Sequence, residues 1–280
     1  MSYLAHDFLV KKYIESALLE DVGNGDITTD SIVRSDQKLI AKINSRVEGI
    51  ICGVDVATRV FTLLDPYINI KIIANDGEKV CKGQDIAIIE GCARAVLTGE
   101  RLALNFIQRM SAIATLTNEY QQAIIPYQTK ITDTRKTTPN FRIFEKYAVK
   151  TGGGSPHRFG LYDCVMIKDN HIALAGGSIK KAVKLVKEKL GHTAKIEVET
   201  ENLHQIEEAL EAGVDIIMLD NMTIEQMSEA VNFINKRAVT EASGNISIQT
   251  VNDVASSGVD YISTSAIHAK AGILDIGLDI

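Results

Sequence analysis

From residue 130 onward the chain alternates short apolar strands with helical patterns, and this rhythm limits its fold more than any other feature. The runs KITDT, CVMIK, KIEVE, DIIMLD, VTEAS and DYISTS read as strands. Helical patterns separate them at 139–150, 178–190, 202–212, 223–237 and 248–257. Such alternation means βα units and a parallel sheet. At least six units in a row favour a barrel over an open doubly wound sheet. No GxGxxG follows the first strand, which weakens the dinucleotide-binding alternative further.

The first part of the chain has a different texture. Val10, Ile14, Ala17 and Leu18 recur at helical spacing between Phe8 and Glu20. GNGDITTD (23–30) reads as a turn. It also has the look of a phosphate loop, but no strand precedes it and no Lys follows. Short β-rich runs come next (LIAKIN, VEGIICG, INIKIIA, DIAIIEG), interrupted by an amphipathic helix over Asp55–Leu64. Together they predict an α+β unit. Turn residues at DG and KG in DGEKVCKGQDIAIIEG predict a hairpin. A long helix is predicted over 93–123, carrying Arg101. GGG at 152–154 reads as a mobile hinge after a helix. The tail LDIGLDI is strand-like and is placed as a return to the first domain.

Composition excludes several partners. The net charge is −6, which argues against nucleic acid and against an anionic membrane surface. No apolar run approaches the length of a membrane span, and the polar start (His6, Asp7, Lys11, Lys12) shows no signal peptide. Cys52, Cys81, Cys92 and Cys164 are widely spaced and form no CxxC. They fit reduced, mostly buried thiols in a cytoplasmic protein better than disulfides or zinc.

Against this acidic background, the segment 133–171 gathers Arg135, Lys136, His157, Arg158 and Lys168. Locally concentrated cations point to a small ligand with several carboxylates or phosphates. Arg offers a planar fork and Lys a point charge. In a βα barrel, functional side chains sit at the C-terminal strand ends. Reading those ends gives Arg135–Lys136, Lys168, Glu199, Asp220, Ser243–Gly244 and Thr264–Ser265. Glu199 and Asp220, on neighbouring units, could bind sugar hydroxyls, hold hydrated Mg²⁺ or face a developing cation. The bland alternative is that Asp220 caps a helix and Glu199 is a surface residue. The ASGN (242–245) and TSA (264–266) turns let backbone N–H groups approach a phosphate, or are ordinary turns. A buried Lys168 could instead form a Schiff base, as in an aldolase. A dicarboxylate-binding protein without catalysis is a third class.

Longer motifs carry a resemblance. TGERLALNFIQRMSAIAT, DTRKTTPNFRIFEKYAVKTGGGSPHRFGL, IKDNHI, EVE, MLDNM, EASGNI and LDIGLDI, in this order and spacing, resemble the quinolinate phosphoribosyltransferase family over essentially the whole chain. The resemblance implies an α/β fold: an N-terminal α/β sandwich domain over 1–112 and an incomplete α/β barrel over 113–273, with 274–280 returning to the first domain. It implies a Mg²⁺-dependent reaction of quinolinate with phosphoribosyl pyrophosphate. The products would be nicotinate mononucleotide, CO₂ and pyrophosphate. It places Arg135, His157, Arg158 and Lys168 at the dicarboxylate, with Thr134 beside them. Lys136 would meet pyrophosphate, and Glu199 and Asp220 the ribose and, through water, the metal. Ser243, Gly244 and Asn245, with Thr264, Ser265 and Ala266, would cradle the 5′-phosphate. Arg101 resembles an arginine that enters the neighbouring subunit's site, which implies a homodimer or a hexamer of dimers with shared active sites. The chain departs from the family at SAIHA (265–269), where many members read GALTH. Ser265 stands for a turn glycine, and His268 is shifted by one position. A related branch of molybdenum-transport-associated proteins shares the fold, and the intact DTRKT and HR motifs argue against it.

Overall fold

The computed structural model describes residues 7–280 and divides them into two units. His6, part of the polar start, lies outside the described residues. The first unit comprises residues up to Asn118, Thr138–Gly153 and His268–Ile280. The second comprises Glu119–Thr137 and Gly154–Ile267.

The first unit opens with α1 (Asp7–Val22) and α2 (Ile27–Ile32). Residues 23–26 turn as expected, but 27–32 are helical, because the Asp26 carboxylate accepts the Thr29 N–H and caps that helix. Next come β1 (Lys38–Ser45), β2 (Gly49–Ile50), α3 (Val54–Leu64), β3 (Asn69–Ile72), β4 (Lys79–Val80), β5 (Asp85–Cys92) and α4 (Ala93–Ala123). The amphipathic pattern of α3 has its reason in burial: Val56, Ala57, Val60 and Phe61 are fully enclosed. The predicted hairpin does not form. β5 is flanked on both edges by β1 and β3, so β4 pairs with β2 in a separate two-stranded ribbon. At 31 residues, α4 is about 46 Å long and runs out of the first unit into the second.

The second unit's frame begins with β6 (Lys130–Thr132). The helix after it, α5 (Arg142–Thr151), belongs to the first unit. Then follow β7 (Val165–Ile167), α6 (Asp169–Leu174), α7 (Ile179–Lys187), β8 (Ile196–Thr200), α8 (Leu203–Ala212), β9 (Ile216–Asp220), α9 (Ile224–Ile234), β10 (Val239–Ser243), α10 (Val251–Ser256) and β11 (Tyr261–Ser263). The six strands form one all-parallel sheet in the order β6-β11-β10-β9-β8-β7. That order settles barrel against doubly wound sheet. A doubly wound sheet reverses direction at a switch point. Here the sequence of neighbours is cyclic, with the first strand laid against the last. The ring is open between β6 and β7, so the barrel is incomplete. At that seam, among the described residues, β6 has a single bridge from Thr132 to Ser155.

The chain ends with α11 (Ala266–Ala269) and β12 (Ile276–Asp279). β12 pairs antiparallel with β1, completing a four-stranded sheet, β12-β1-β5-β3, in the first unit. Two expectations are corrected here. The GGG segment is not a free hinge at its first residue, for a Cβ on Gly152 would lie 2.3 Å from the Ala114 carbonyl oxygen. Gly152 is buried and lets two backbones touch. The cysteines are all free, but only Cys52 is buried.

Candidate active site

Of the strand-end residues read from the sequence, Lys168, Glu199 and Asp220 share one cavity. A cavity of about 220 Å³ in the second unit is lined by Lys168, Glu199 and Asp220, with Ile172 and Gln205 on its wall. Lys168 follows β7 directly, and its amide donates to His171 Nδ1 at the start of α6. Its ammonium meets Glu199 at 2.5 Å. An amine ion-paired to a carboxylate is the reverse of the desolvated setting that activates a Schiff-base lysine.

The bland alternatives for the two acids do not hold. The Glu199 side chain is 17% exposed and engaged by Lys168, so it is no surface residue. The cap of α9 is Thr223, reinforced by Gln226, which leaves Asp220 without a capping role. Asp220 instead accepts from Asn221 Nδ2 at 2.8 Å. The Asn221 amide reaches the Ser243 carbonyl, locking the ends of β9 and β10 together. Gly244 makes that lock possible. Its φ is +110°, and a Cβ there would lie 2.3 Å from Asn221 Oδ1.

The HR motif lies against the start of the DTRKT segment. The buried Asp133 carboxylate accepts the His157 amide at 2.7 Å. Arg158 Nη1 donates to the Cys164 carbonyl at 2.9 Å. Asp163 closes the following loop by accepting the amides of Phe159 and Gly160. Arg135 and Thr134 are half-buried and Lys136 is exposed. Arg101 is exposed on α4, in the first unit.

The late turns divide. Ser243 and Gly244 are half-buried, and Asn245 is exposed with φ +50°. The Thr264 hydroxyl donates to the Ile246 carbonyl and accepts the Ala266 amide, so both groups serve the turn itself. Ser265 is half-buried beside them. His268 is buried in the first unit, 3.3 Å from the Glu145 carboxylate.

Three acids lay outside the sequence reading. Glu197 and Glu241 flank His157 Nε2 at 3.2 and 3.5 Å. Burial pushes the Glu197 carboxyl up. Glu145, fully buried on α5, accepts the Thr138 amide and hydroxyl and the Arg109 guanidinium. In EVE, alternate residues share a strand face, so Glu197 lies on the same side of the sheet as Glu199 but one layer deeper, beside His157 and not at the cavity.

Comparison with known proteins decides the family. Residues 26–111 match the model of the quinolinate phosphoribosyl transferase N-terminal domain, and 113–279 that of its C-terminal domain. The chain belongs to the quinolinate phosphoribosyltransferase family. A Bacillus subtilis relative, a probable nicotinate-nucleotide pyrophosphorylase (carboxylating), is 44% identical over 97% of this chain and 93% of its own. A Synechocystis protein with the same designation is 42% identical over 100% of this chain and 95% of its own. Among solved structures, NadC from Streptococcus pyogenes superposes with a TM-score of 0.94 at 40% identity, covering 98% of this chain and 96% of that one. The nicotinate-nucleotide pyrophosphorylase from Francisella tularensis gives 0.93 at 41%, with 98% and 96% covered. The transferase fold is thus shared across the whole length, barrel and N-terminal sheet alike.

Proposed function

We propose that this enzyme transfers the phosphoribosyl group of phosphoribosyl pyrophosphate to quinolinate with decarboxylation, in de novo NAD biosynthesis. The observation that carries the reading is the cavity where a cation, Lys168, and two acids, Glu199 and Asp220, meet at the strand ends of a family barrel. Loss of pyrophosphate from ribose C1 leaves an oxocarbenium-like carbon, which carboxylates at Glu199 and Asp220 stabilise. The quinolinate ring nitrogen forms the new bond to C1. The resulting pyridinium accepts the electron pair of the breaking bond to the 2-carboxylate, CO₂ departs, and ring C2 takes a proton. The protein's task is positioning more than strong base chemistry.

Arg135, Arg158 and Lys168, with His157 and Thr134 beside them, form the dicarboxylate site in this proposal. Lys136 meets pyrophosphate, and Ser243, Gly244, Asn245 and the 264–266 turn receive the 5′-phosphate. The turn does so through its remaining backbone groups, because the Thr264 hydroxyl and Ala266 amide satisfy each other. Two carboxylates on one cavity suit Mg²⁺, which is held by one or two such groups together with water and substrate oxygens. Held there through water by Glu199 and Asp220, the ion would neutralise charge on the leaving pyrophosphate. The domains are assigned as 1–112 and 113–273, with 274–280 returning to the first. Arg101 is assigned to a partner's site in a homodimer or larger assembly. Among the described residues no helix is long and apolar enough to cross a membrane. A cytoplasmic location is part of the proposal.

The test is formation of nicotinate mononucleotide and CO₂ from quinolinate, phosphoribosyl pyrophosphate and Mg²⁺. Nicotinate, lacking the 2-carboxylate, should be used at least about a hundredfold less efficiently, because two bidentate-capable cations lose a partner. Equal kcat/KM for the two acids would refute the dicarboxylate assignment.

A further inference from the structure

Glu199 and Asp220 line one cavity, yet they are held by different partners. The Lys168 ammonium pairs with Glu199. Asp220 meets a neutral group: Asn221 Nδ2 donates to its Oδ2 at 2.8 Å. Among the described residues this amide is the one hydrogen-bond partner of the Asp220 side chain.

Neighbours along a strand do not ordinarily touch this way, because successive side chains point to opposite faces. Asn221 reaches back because its backbone leaves the strand. Its φ is +54°, in the left-handed region that Asn tolerates and most residues avoid. Two contacts with the end of β10 hold it there. Its N–H donates to the Ser243 carbonyl at 2.9 Å, one step beyond the register pair of Ser243 with Asp220. Its amide lies so close to Gly244 that a Cβ on that glycine would fall 2.3 Å from Oδ1 and 2.7 Å from Cγ. Charge fixes which way the amide faces. Turned over, Oδ1 would oppose the Asp220 carboxylate, acceptor against acceptor, so the NH₂ belongs on that side. Two plainer roles leave this amide unexplained. Helix α9 is capped by Thr223 and Gln226, not by Asn221. The positive φ alone is met at least as well by Gly, which carries no side chain.

We propose that Asn221 is a positioning residue, resting on the phosphoribosyl-transfer reading above: fixed by the end of β10, it aims the Asp220 carboxylate and leaves Oδ1 to face the ribosyl side of the cavity. A neutral donor suits this task. It fixes one oxygen and the plane of the carboxylate without cancelling the charge, whereas a cation there would neutralise part of it. A carboxylate that faces an oxocarbenium-like carbon then keeps its charge and needs no reorientation as the reaction proceeds.

Three replacements separate the amide from the backbone. Asn221→Gly keeps the φ and removes the amide. Asn221→Asp keeps the shape beside Gly244 and replaces the donor with an acceptor. Asn221→Ala removes the amide and strains the backbone as well. Positioning predicts that Asn221→Gly and Asn221→Asp each lower kcat at least about fivefold, the effect of one hydrogen bond. The quinolinate dissociation constant, read by calorimetry, should stay within about twofold of wild type in both. Urea midpoints should be lower for Asn221→Ala than for Asn221→Gly, which reports the backbone separately. The deciding measurement is a double-mutant cycle. In an Asp220→Asn background, adding Asn221→Gly should lower kcat by less than about twofold more, because the amide acts through that carboxylate. An equal loss in both backgrounds would show that Asn221 only shapes the turn. Wild-type kcat in either the Gly or the Asp variant would show that the amide aims nothing. Either result overturns the proposal. The wild-type enzyme is the control: absence of quinolinate turnover refutes the phosphoribosyl-transfer reading, whereas turnover with the wrong variant pattern refutes this inference alone.

Discussion

Glu145 provides the sharpest test of how the fold holds the DTRKT segment. Its carboxylate is fully buried on α5. It accepts Thr138 Oγ1 at 2.9 Å, the Thr138 amide at 3.2 Å, and Arg109 Nη2 at 2.9 Å. Removing one partner of a buried ion pair costs about 3–5 kcal/mol, mostly because the other charge is stranded. Arg109 is 24% exposed, so water takes up part of its charge and the lower end applies. Glu145→Ala should therefore cost about 3 kcal/mol. At roughly 2–4 °C per kcal/mol for domains of this size, the first thermal transition should fall by about 6–12 °C. Thr138 closes the DTRKT segment on one side, and Asp133 is tied to the His157 amide on the other. The segment between carries Lys136, so the KM for phosphoribosyl pyrophosphate should rise along with the loss of stability. Glu145→Gln keeps an oxygen for the Thr138 hydroxyl and should lose about half as much. Dye-based thermal scans and steady-state kinetics measure both effects. A Glu145→Ala protein melting within about 2 °C of wild type would refute the assigned role of this carboxylate.

Other outcomes follow from the same contacts. Asp220→Asn and Glu199→Gln should each lower kcat at least about tenfold while changing the quinolinate dissociation constant by less than about threefold, because both act on the ribosyl side; calorimetric titration with quinolinate separates the two effects, and wild-type turnover in both variants would refute the assignment. Hydrogen bonds from the Thr240 amide and hydroxyl and from Lys236 overcome the opposing effect of burial and hold the Asp260 carboxyl below its ordinary value. Its stabilisation is therefore present above the unfolded pKa of about 3.9 and is lost as pH falls through the lower folded value. Urea midpoints should show Asp260→Asn clearly weaker than wild type at about pH 7, with a smaller deficit at about pH 3, and an equal deficit at both would contradict this. Arg101→Ala and Lys136→Ala should each be nearly inactive alone, yet a mixture allowed to exchange subunits should recover toward about a quarter of wild-type activity if each Arg101 serves a partner's site. No recovery after verified exchange would place Arg101 in its own chain's site or in none.

The barrel was legible because each strand from Lys130 to Ser263 is a short apolar run followed by a helical pattern, and from β7 to β11 successive runs become neighbouring strands. The long helix over 93–123 was legible to the residue, since its apolar spacing is unbroken. What failed was pairing. DGEKVCKGQDIAIIEG contains both short strands, but local turn residues cannot say that β1 and β3 already occupy the edges of β5. The α6 helix was also missed: six residues after Lys168 are too few to show a period. Nor could sequence alone assign α5 to the first unit, because that depends on which surface its buried face meets.

The candidate site shows the same division between local and long-range information. Lys168, Glu199 and Asp220 were readable because each stands where a strand pattern stops, and strand ends share a mouth. Glu197 and Glu241 were not, although both lie in the strands already identified. In a strand, two residues of spacing carry a side chain about 7 Å along the axis, from the mouth toward the interior. Glu199 is at the cavity and Glu197 is sealed beneath it. A charge in that sealed layer demands a partner, and the partner proves to be the first residue of HR. The acid two places before a strand-end acid therefore carries information of its own: if it is buried, something in the loops above must reach down to satisfy it. Here that something is His157, whose ring reaches down from the loop to within 3.2 Å of Glu197.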